Sequence, residues 1–526
     1  MTAMPHRASP TSAHTTTEGT IVRGPVRHGG WRDLESGPPE PHQHSIPSGE
    51  VIACMWHLSD VHLCDAESPA RVEYLDRYSD PDSAFRDELG DIGTYRPQES
   101  LTVQVAVSMV QAVNRVRVGP TTGVPIEAVL LTGDLTDNAQ RNELAWYQAI
   151  VEGGVVSPRS GSDEASSWVG ARDAQSWDDR YWHPDGPPPG VEPDRPTALF
   201  GYPTIPGLVE AARRDVVSPG LDLPWISVYG NHDGLLQGTV AIDDELRALA
   251  VGDVRITGLP ADATPLITAE AISDVGPARY IHDESSPRVR IPADPGRDFT
   301  TPAMFARVTR PDGAEELTYF TTDVGGLRVI ALDTINPHGG WQGSLDRTQF
   351  TWLQRELALA GDRYVVITSH HPSPTLINDH RAPDAEERVL GDEVVALLLA
   401  HPQVIAWIAG HVHFHAAIRH GDDVSGFIEL TTASLIDWPQ QGRILEFVRV
   451  QDSGRPEVAI ISTVVDHAAP VTWSADSIDD PLTLAAISRA LSANDYRLRD
   501  SSLRGLRLDS SPHVRNVAWR VPDPFA

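Results

Sequence analysis

The sequence predicts an α/β protein built on two sheets, and three observations predict it. Short apolar runs rich in β-branched residues alternate with longer runs of helical spacing. Each of the first five short runs ends in, or leads directly into, polar residues able to hold metals. After His420 the helical runs give way to strand-like segments in succession, which suggests a second sheet packed on the first.

Residues 1–47 are rich in Pro, Ser, Thr, His and Gly, show no hydrophobic period, and read as a flexible N-terminal arm. The main domain is expected from residue 48 to residue 470. The runs "VIACMWHL" (51–58), "IEAVLLTG" (126–133), "LPWISVYG" (223–230), "RYVVITSH" (363–370) and "QVIAWIAG" (403–410) are apolar along both faces, as strands covered on both sides must be. Segments 101–116, 344–360 and 392–400 carry apolar residues at helical spacing. Segments 426–435, 442–450 and 457–465 read as the later strands. Three stretches lack this regularity and read as insertions, at about 65–100, 152–222 and 234–316, while 471–526 reads as a C-terminal extension.

The chain of 526 residues carries 42 basic and 73 acidic side chains, a formal charge of -31, and every base among Lys and Arg is an arginine. Nonspecific nucleic-acid affinity comes from cationic side chains displacing counterions, so no extended nucleic acid is expected as partner. Cys54 and Cys64 are too few for a disulfide framework, and the first residues carry no apolar signal core. A cytoplasmic protein is expected. The most apolar stretch, 394–409, is interrupted by His401, Pro402 and Gln403, so no membrane span is expected.

The polar residues at the strand ends carry the chemistry. They are Asp60 and His62 in "SDVHL", Asp134, Asp137 and Asn138 in "GDLTDN", and Asn231, His232 and Asp233 in "GNHDG". His370 and His371 follow in "SHHP", then His411, His413 and His415 in "GHVHFH". Ligands of open α/β sheets bind beyond the carboxyl ends of the strands, so all five sets would meet in one crevice. Imidazole, carboxylate and amide donors without thiolate suit manganese, iron or zinc. Any one motif is weak evidence. Five in order, each after an apolar run, are strong.

This ordered set, D-x-H, G-D-x-x-D, G-N-H-D, H-x-P and G-H-x-H, resembles the calcineurin-like metallophosphoesterase family. The resemblance implies a four-layer α/β/β/α sandwich of two mixed sheets with long insertions. It implies two divalent metal ions, one held by Asp60, His62 and His413, the other by Asn231, His370 and His411, with Asp134 bridging. It further implies a dimetal hydrolase that cleaves a phosphomonoester or phosphodiester of a small molecule by metal-hydroxide in-line attack. His232 would protonate the leaving oxygen or stabilise the transition state, and Asp233 would orient its imidazole and raise its pKa. The alternatives are a nuclease of the same family, disfavoured by charge, and a noncatalytic scaffold, which has no reason to keep His232 beside a full ligand set.

The neighbouring residues have plainer readings. The resemblance's H-x-P pattern, with Pro372 two residues on, implies that His370 is the ligand and leaves His371 behind it, and Asp137 and Asn138 are expected to hold their loop by hydrogen bonds. Side chains two apart on an extended chain are separated by ~6.6 Å, so His411 and His413 can each reach one member of a metal pair, whereas His415 falls about 13 Å from His411. Cys64 either packs as a small hydrophobe or faces the site. Segment 432–443, with Ser434, Asp437, Trp438, Gln440, Gln441 and Arg443 close together, is either a tight turn or a substrate-facing wall.

Overall fold

Two six-stranded mixed sheets lie face to face in the computed structural model. It describes residues 20–42, 47–78, 83, 95–161, 177–258, 260, 284–310, 317–383, 385–422, 424–450, 454–495 and 512–526. The first sheet contains, in spatial order, β18 (Val517–Pro522), β17 (Glu457–Asp466), β16 (Gln441–Val450), β3 (Gly49–Leu58), β4 (Ala128–Leu131) and β7 (Trp225–Ser227). The second contains β10 (Phe320–Val324), β11 (Leu327–Ala331), β12 (Tyr364–Thr368), β13 (Val404–Ala409), β15 (Gly426–Thr431) and β14 (Ala416–Gly421). Three antiparallel ladders stand apart: β1 (Ile21–Val26) with β2 (Arg32–Ser36), β5 (Gly154–Val156) with β6 (Val216–Ser218), and β8 (Val254–Ile256) with β9 (Arg288–Arg290).

The alternation along β3 shows why its run is apolar on both faces. Ala53 and Met55 point between the sheets, where Leu445, Phe447, Val366 and Ile408 meet them. Cys54, Trp56 and Leu58 point the other way, under the helices Thr102–Arg115, Arg141–Glu152 and Pro481–Ala493. On the far side of the second sheet, Ile330, Ile367 and Trp407 are covered by the helices Arg347–Leu359 and Gly391–Leu399. The layers are therefore α/β/β/α, as the resemblance implies.

The parallel strands decide where chemistry can occur. β3, β4 and β7 run parallel in one sheet, and β11, β12, β13 and β15 run parallel in the other. The loops leaving their carboxyl ends carry all five sequence motifs.

Two sequence expectations are corrected. Within residues 1–47, read as a flexible arm, β1 and β2 form an ordered ladder, because Ile21, Trp31 and Leu34 are buried against Trp182, Tyr202 and Leu484. Within 471–526, read as an extension, β18 is the edge strand of the first sheet and Pro481–Ala493 covers its outer face, so this segment completes the sandwich. The insertions also carry structure: residues from 65–100 and 234–316 pack together through Val72, Tyr74, Leu75, Leu236 and Phe299. Parts of both, residues 79–82, 84–94, 259, 261–283 and 311–316, lie outside the described residues, as do 1–19, 43–46, 162–176 and 496–511. No helix among the described residues is long and apolar enough to cross a membrane.

Candidate metal centre

The five motif loops converge at one end of the sandwich. One donor atom each from Asp60, His62 and His413 lie within 4.8 Å of one another, and so do those of Asp60, Asp134 and His370. His62 Nε2 stands 3.2 Å from His413 Nε2, and His370 Nε2 stands 3.2 Å from His411 Nδ1. Asp134 Oδ2 lies between the two pairs, 3.6 Å from His62 Nε2 and 3.2 Å from His370 Nε2. Its other oxygen accepts the His232 peptide N–H at 2.8 Å, so Oδ2 alone is placed to be shared.

Sharp loops aim these groups. Asp60, His62, Asp134, His411 and His413 all have positive φ, from 48° to 70°, a region that costs a non-glycine residue about 1–3 kcal/mol and recurs at functional sites. Two glycines make the approach possible: a Cβ at Gly410 would overlap Ser59 Oγ, and one at Gly230 would overlap Asp134. This corrects the spacing argument for "GHVHFH". Strand β13 ends at Ala409, and His411 and His413 sit on left-handed turns rather than on an extended chain. His415 does stay outside the cluster, but because it is buried elsewhere, its Nδ1 accepting from Arg443 at 2.8 Å and its Nε2 lying 3.3 Å from Gln441 Oε1.

The donor set fits cations, and hydrogen bonds behind the ligands say so. The Nδ1 of His62 donates to Asp137 Oδ1 at 3.0 Å, that of His413 to Asp437 Oδ2 at 2.7 Å, and that of His370 to the Thr132 carbonyl at 2.8 Å. An imidazole that gives its Nδ1 proton outward presents the Nε2 lone pair inward, the arrangement of a metal-ligating histidine. Asn231 donates through Nδ2 to the Gly238 carbonyl at 2.9 Å, while its Oδ1 is buried without a hydrogen-bond partner. A buried acceptor left bare costs stability unless something binds it. His371 has no such freedom, since Nδ1 lies 2.8 Å from Thr334 Oγ1 and Nε2 donates to the Trp341 carbonyl at 2.9 Å.

The two residues assigned to proton transfer divide differently. His232 is partly exposed beside the cluster, with Nδ1 donating to the Asp137 carbonyl at 2.7 Å, which turns Nε2 away from that loop. Asp233 does not orient it. Its carboxylate is consumed by the amides of Leu135, Thr136 and Gly230, each at 2.9 Å, and the Thr136 hydroxyl at 3.0 Å. Nor is His232 raised: burial pushes it down to about 4 against the pull of Asp134. The expected role of Asp233 is thereby corrected to tying the second motif loop to the third.

Sequence reasoning missed two functional carboxylates. Asp137 supports His62 and, through its carbonyl, His232, beyond the loop-holding read for it. Asp437, from the segment read as a turn or a wall, supports His413 instead. Burial raises both carboxyls, but His62 and Arg71 hold Asp137, and Arg96 and His413 hold Asp437, below the usual carboxylate range. Cys64 lies outside the cluster, buried with its sulfur against Arg71.

Residues 205–415 match the model of a family described as calcineurin-like phosphoesterase, a span that includes the last three motifs. Over 193 residues the chain is 31% identical to a probable cyclic nucleotide phosphodiesterase of Rhodococcus erythropolis, covering 35% of this chain and 59% of that one. It is 33% identical over 88 residues to a probable glycerophosphodiester phosphodiesterase of Arcobacter nitrofigilis, covering 16% of this chain and 31% of that one. It is 32% identical over 93 residues to a 3',5'-cyclic adenosine monophosphate phosphodiesterase of Pseudomonas aeruginosa, covering 17% and 32%. The chain thus matches less than two thirds of each relative's length. The family match runs through three of the five motifs and the other two meet at the same centre, so the chain is similar to calcineurin-like phosphoesterases over residues 205–415.

Proposed function

We propose that this chain is a two-metal phosphoesterase acting on phosphodiester bonds of small molecules. The observation that carries the reading is the inward-facing set of Asp60, His62, Asp134, Asn231, His370, His411 and His413, with the Nδ1 of three imidazoles held from behind so that Nε2 faces inward, and Asn231 Oδ1 left bare. When bound, two divalent cations supply Lewis acidity toward a phosphoryl oxygen and acidify the attacking water. Asp60, His62 and His413 would hold one, Asn231, His370 and His411 the other, and Asp134 both. Manganese, iron and zinc all suit these donors. His232, its Nδ1 proton committed to the Asp137 carbonyl, would serve the leaving oxygen or the phosphoryl group through Nε2 only as an imidazolium, the form that a bound anionic phosphoester beside it favours.

The relatives are named for diesters, which favours a diester over a monoester here. Trp341 favours one with a planar group. It is half exposed, its ring lies nearly parallel to His411 (18°, centroids 5.8 Å apart), and its carbonyl is fixed by His371. An aromatic face held beside the centre stacks a base or aryl ring, a contact worth about 0.5–1.5 kcal/mol beyond buried area. The free, buried thiols of Cys54 and Cys64 accord with the cytoplasmic setting read from the sequence.

The test is elemental analysis together with turnover of an aryl phosphodiester, 3',5'-cyclic nucleotides and glycerophosphodiesters. Two cations per chain and hydrolysis of diesters are expected, with Trp341→Ala raising KM about two- to tenfold for the cyclic nucleotide and little for the glycerophosphodiester. A chain that holds two cations and hydrolyses none of them is the scaffold. One whose nucleic-acid affinity is strong and falls steeply with salt is the nuclease.

A further inference from the structure

The two ligand sets are supported by different means. His370 and Asn231, of one set, lean on backbone oxygens, those of Thr132 and Gly238. His62 and His413, of the other set, lean on carboxylates, and each carboxylate is gripped by an arginine from the segment that follows the first motif. Arg71 donates from one terminal nitrogen to Asp137 Oδ2 at 2.9 Å, while Asp137 Oδ1 takes the His62 proton at 3.0 Å. Arg96 donates through Nε to Asp437 Oδ1 at 2.9 Å, while Asp437 Oδ2 takes the His413 proton at 2.7 Å. The two chains Arg71–Asp137–His62 and Arg96–Asp437–His413 therefore end on two Nε2 atoms that face each other across 3.2 Å.

The arginines are themselves fixed. Arg71 is fully buried, its guanidinium spread over Glu73, Glu99 and Asp137, and Glu73 is shared with Arg255 from the 234–316 insertion. Glu99 also accepts the Arg96 peptide N–H at 3.0 Å, and Gln98 donates to Asp437 Oδ1 at 3.3 Å, so one stretch of chain sets both grips. A guanidinium with a buried carboxylate fixes the carboxylate's plane as well as its charge. That plane sets the direction of the imidazole behind it, and the groups behind ligating histidines typically govern metal affinity by 10–100-fold.

We propose that Arg71 and Arg96 are positioning residues for one cation of the pair, the one held by Asp60, His62 and His413, and that residues 71–73 and 96–99 form its clamp. The inference rests on the two-metal reading. It makes the two cations unequal: one depends on a folded insertion, the other on the sandwich itself.

Apoprotein titrated with Mn²⁺, followed by calorimetry and by counting free ion, tests this without any turnover. The native chain should bind two equivalents. Arg96→Met, a change at a partly exposed pair, should weaken one equivalent about 10–100-fold and leave the other within about twofold, and Arg96→Lys should recover part of the loss. The affected ion is identified by background: in Asp60→Ala, Arg96→Met should change nothing, whereas in Asn231→Ala it should weaken the remaining ion. Arg71→Lys, which keeps the charge but loses the fork, should act in the same direction if Arg96→Met does not fold. Equal weakening of both equivalents, or none, overturns the clamp. A native chain that binds fewer than two Mn²⁺ overturns the two-metal reading itself.

Discussion

At the scale of single residues, the ligands were legible because motif spacing is local, whereas their supports were not. Asp137 stands 75 positions from His62, and Arg96 stands 341 from Asp437, distances over which no spacing rule operates. His232 was legible for the same local reason, and its geometry yields a prediction. With Nδ1 committed to the Asp137 carbonyl, Nε2 is its one working atom, so His232→Ala should leave two cations bound and lower turnover by about 10²–10⁴-fold. Loss of a cation in that variant, by elemental analysis, would make it a ligand. A second prediction concerns protons. Before any cation binds, burial pushes His370 and His413 down, but Asp134 lifts the first to about 9 and Asp60 lifts the second to about 10. Both are then imidazolium near pH 7 and both must lose a proton to ligate, so cation binding should release about two protons there. Affinity should rise with pH up to about 9 and flatten above about 10, because the competing proton is gone once each raised pKa is passed. Calorimetry in buffers of different ionisation enthalpy measures the count, and a release near zero at pH 7 would contradict the assignment of those two ligands.

At the scale of elements, strands covered on both faces were readable and thinly covered ones were not. The runs at 51–58 and 403–410 appear as β3 and β13 within two residues at each end. By contrast β14, an edge strand with no buried residue, has the sequence AAIRHG and no apolar alternation to detect. The helix Pro481–Ala493 is buried on every side, so its apolar residues show no stripe, and β1 and β2 are ordered by only a few buried side chains such as Ile21, Trp31 and Leu34. The loops between elements hold one more lesson. Asp233 was read as catalytic from its place beside His232, but four donors from two loops fill its carboxylate. Asp233→Asn removes the charge and supplies a donor where only acceptors are wanted. It should destabilise the chain by about 2–3 kcal/mol in urea unfolding, the scale of a hydrogen bond to a charged group. A variant as stable as the parent but slow in turnover would return Asp233 to the chemistry.

At the scale of the molecule, the centre is carried by a core that does not need it. The three main apolar clusters lie under the first helix layer, between the sheets and under the second helix layer, while the ligands stand on the loops that leave the strands. The first sheet is held by long registers, β16 pairing with β17 from Gln441 to Val450 and with β3 over nearly the same length. What the cations oppose is local: five ligand residues at positive φ, and carboxylates and imidazoles brought within hydrogen-bonding range of one another. Chelation should therefore loosen the loops without dissolving the sandwich, unlike a zinc finger, whose fold is its metal site. Each cation held at a hundredfold its Kd contributes about 2.7 kcal/mol, and the two together about 5 kcal/mol. In a chain of this size that corresponds to a fall in Tm of roughly 10 °C or less. The far-UV circular dichroism should be unchanged below that transition, while amide exchange should quicken in loops 59–63, 132–138, 228–238 and 410–415. If chelation abolished the far-UV signal at 25 °C, the centre would be a folding nucleus of the protein, and the separation of core from site argued from these clusters would be wrong.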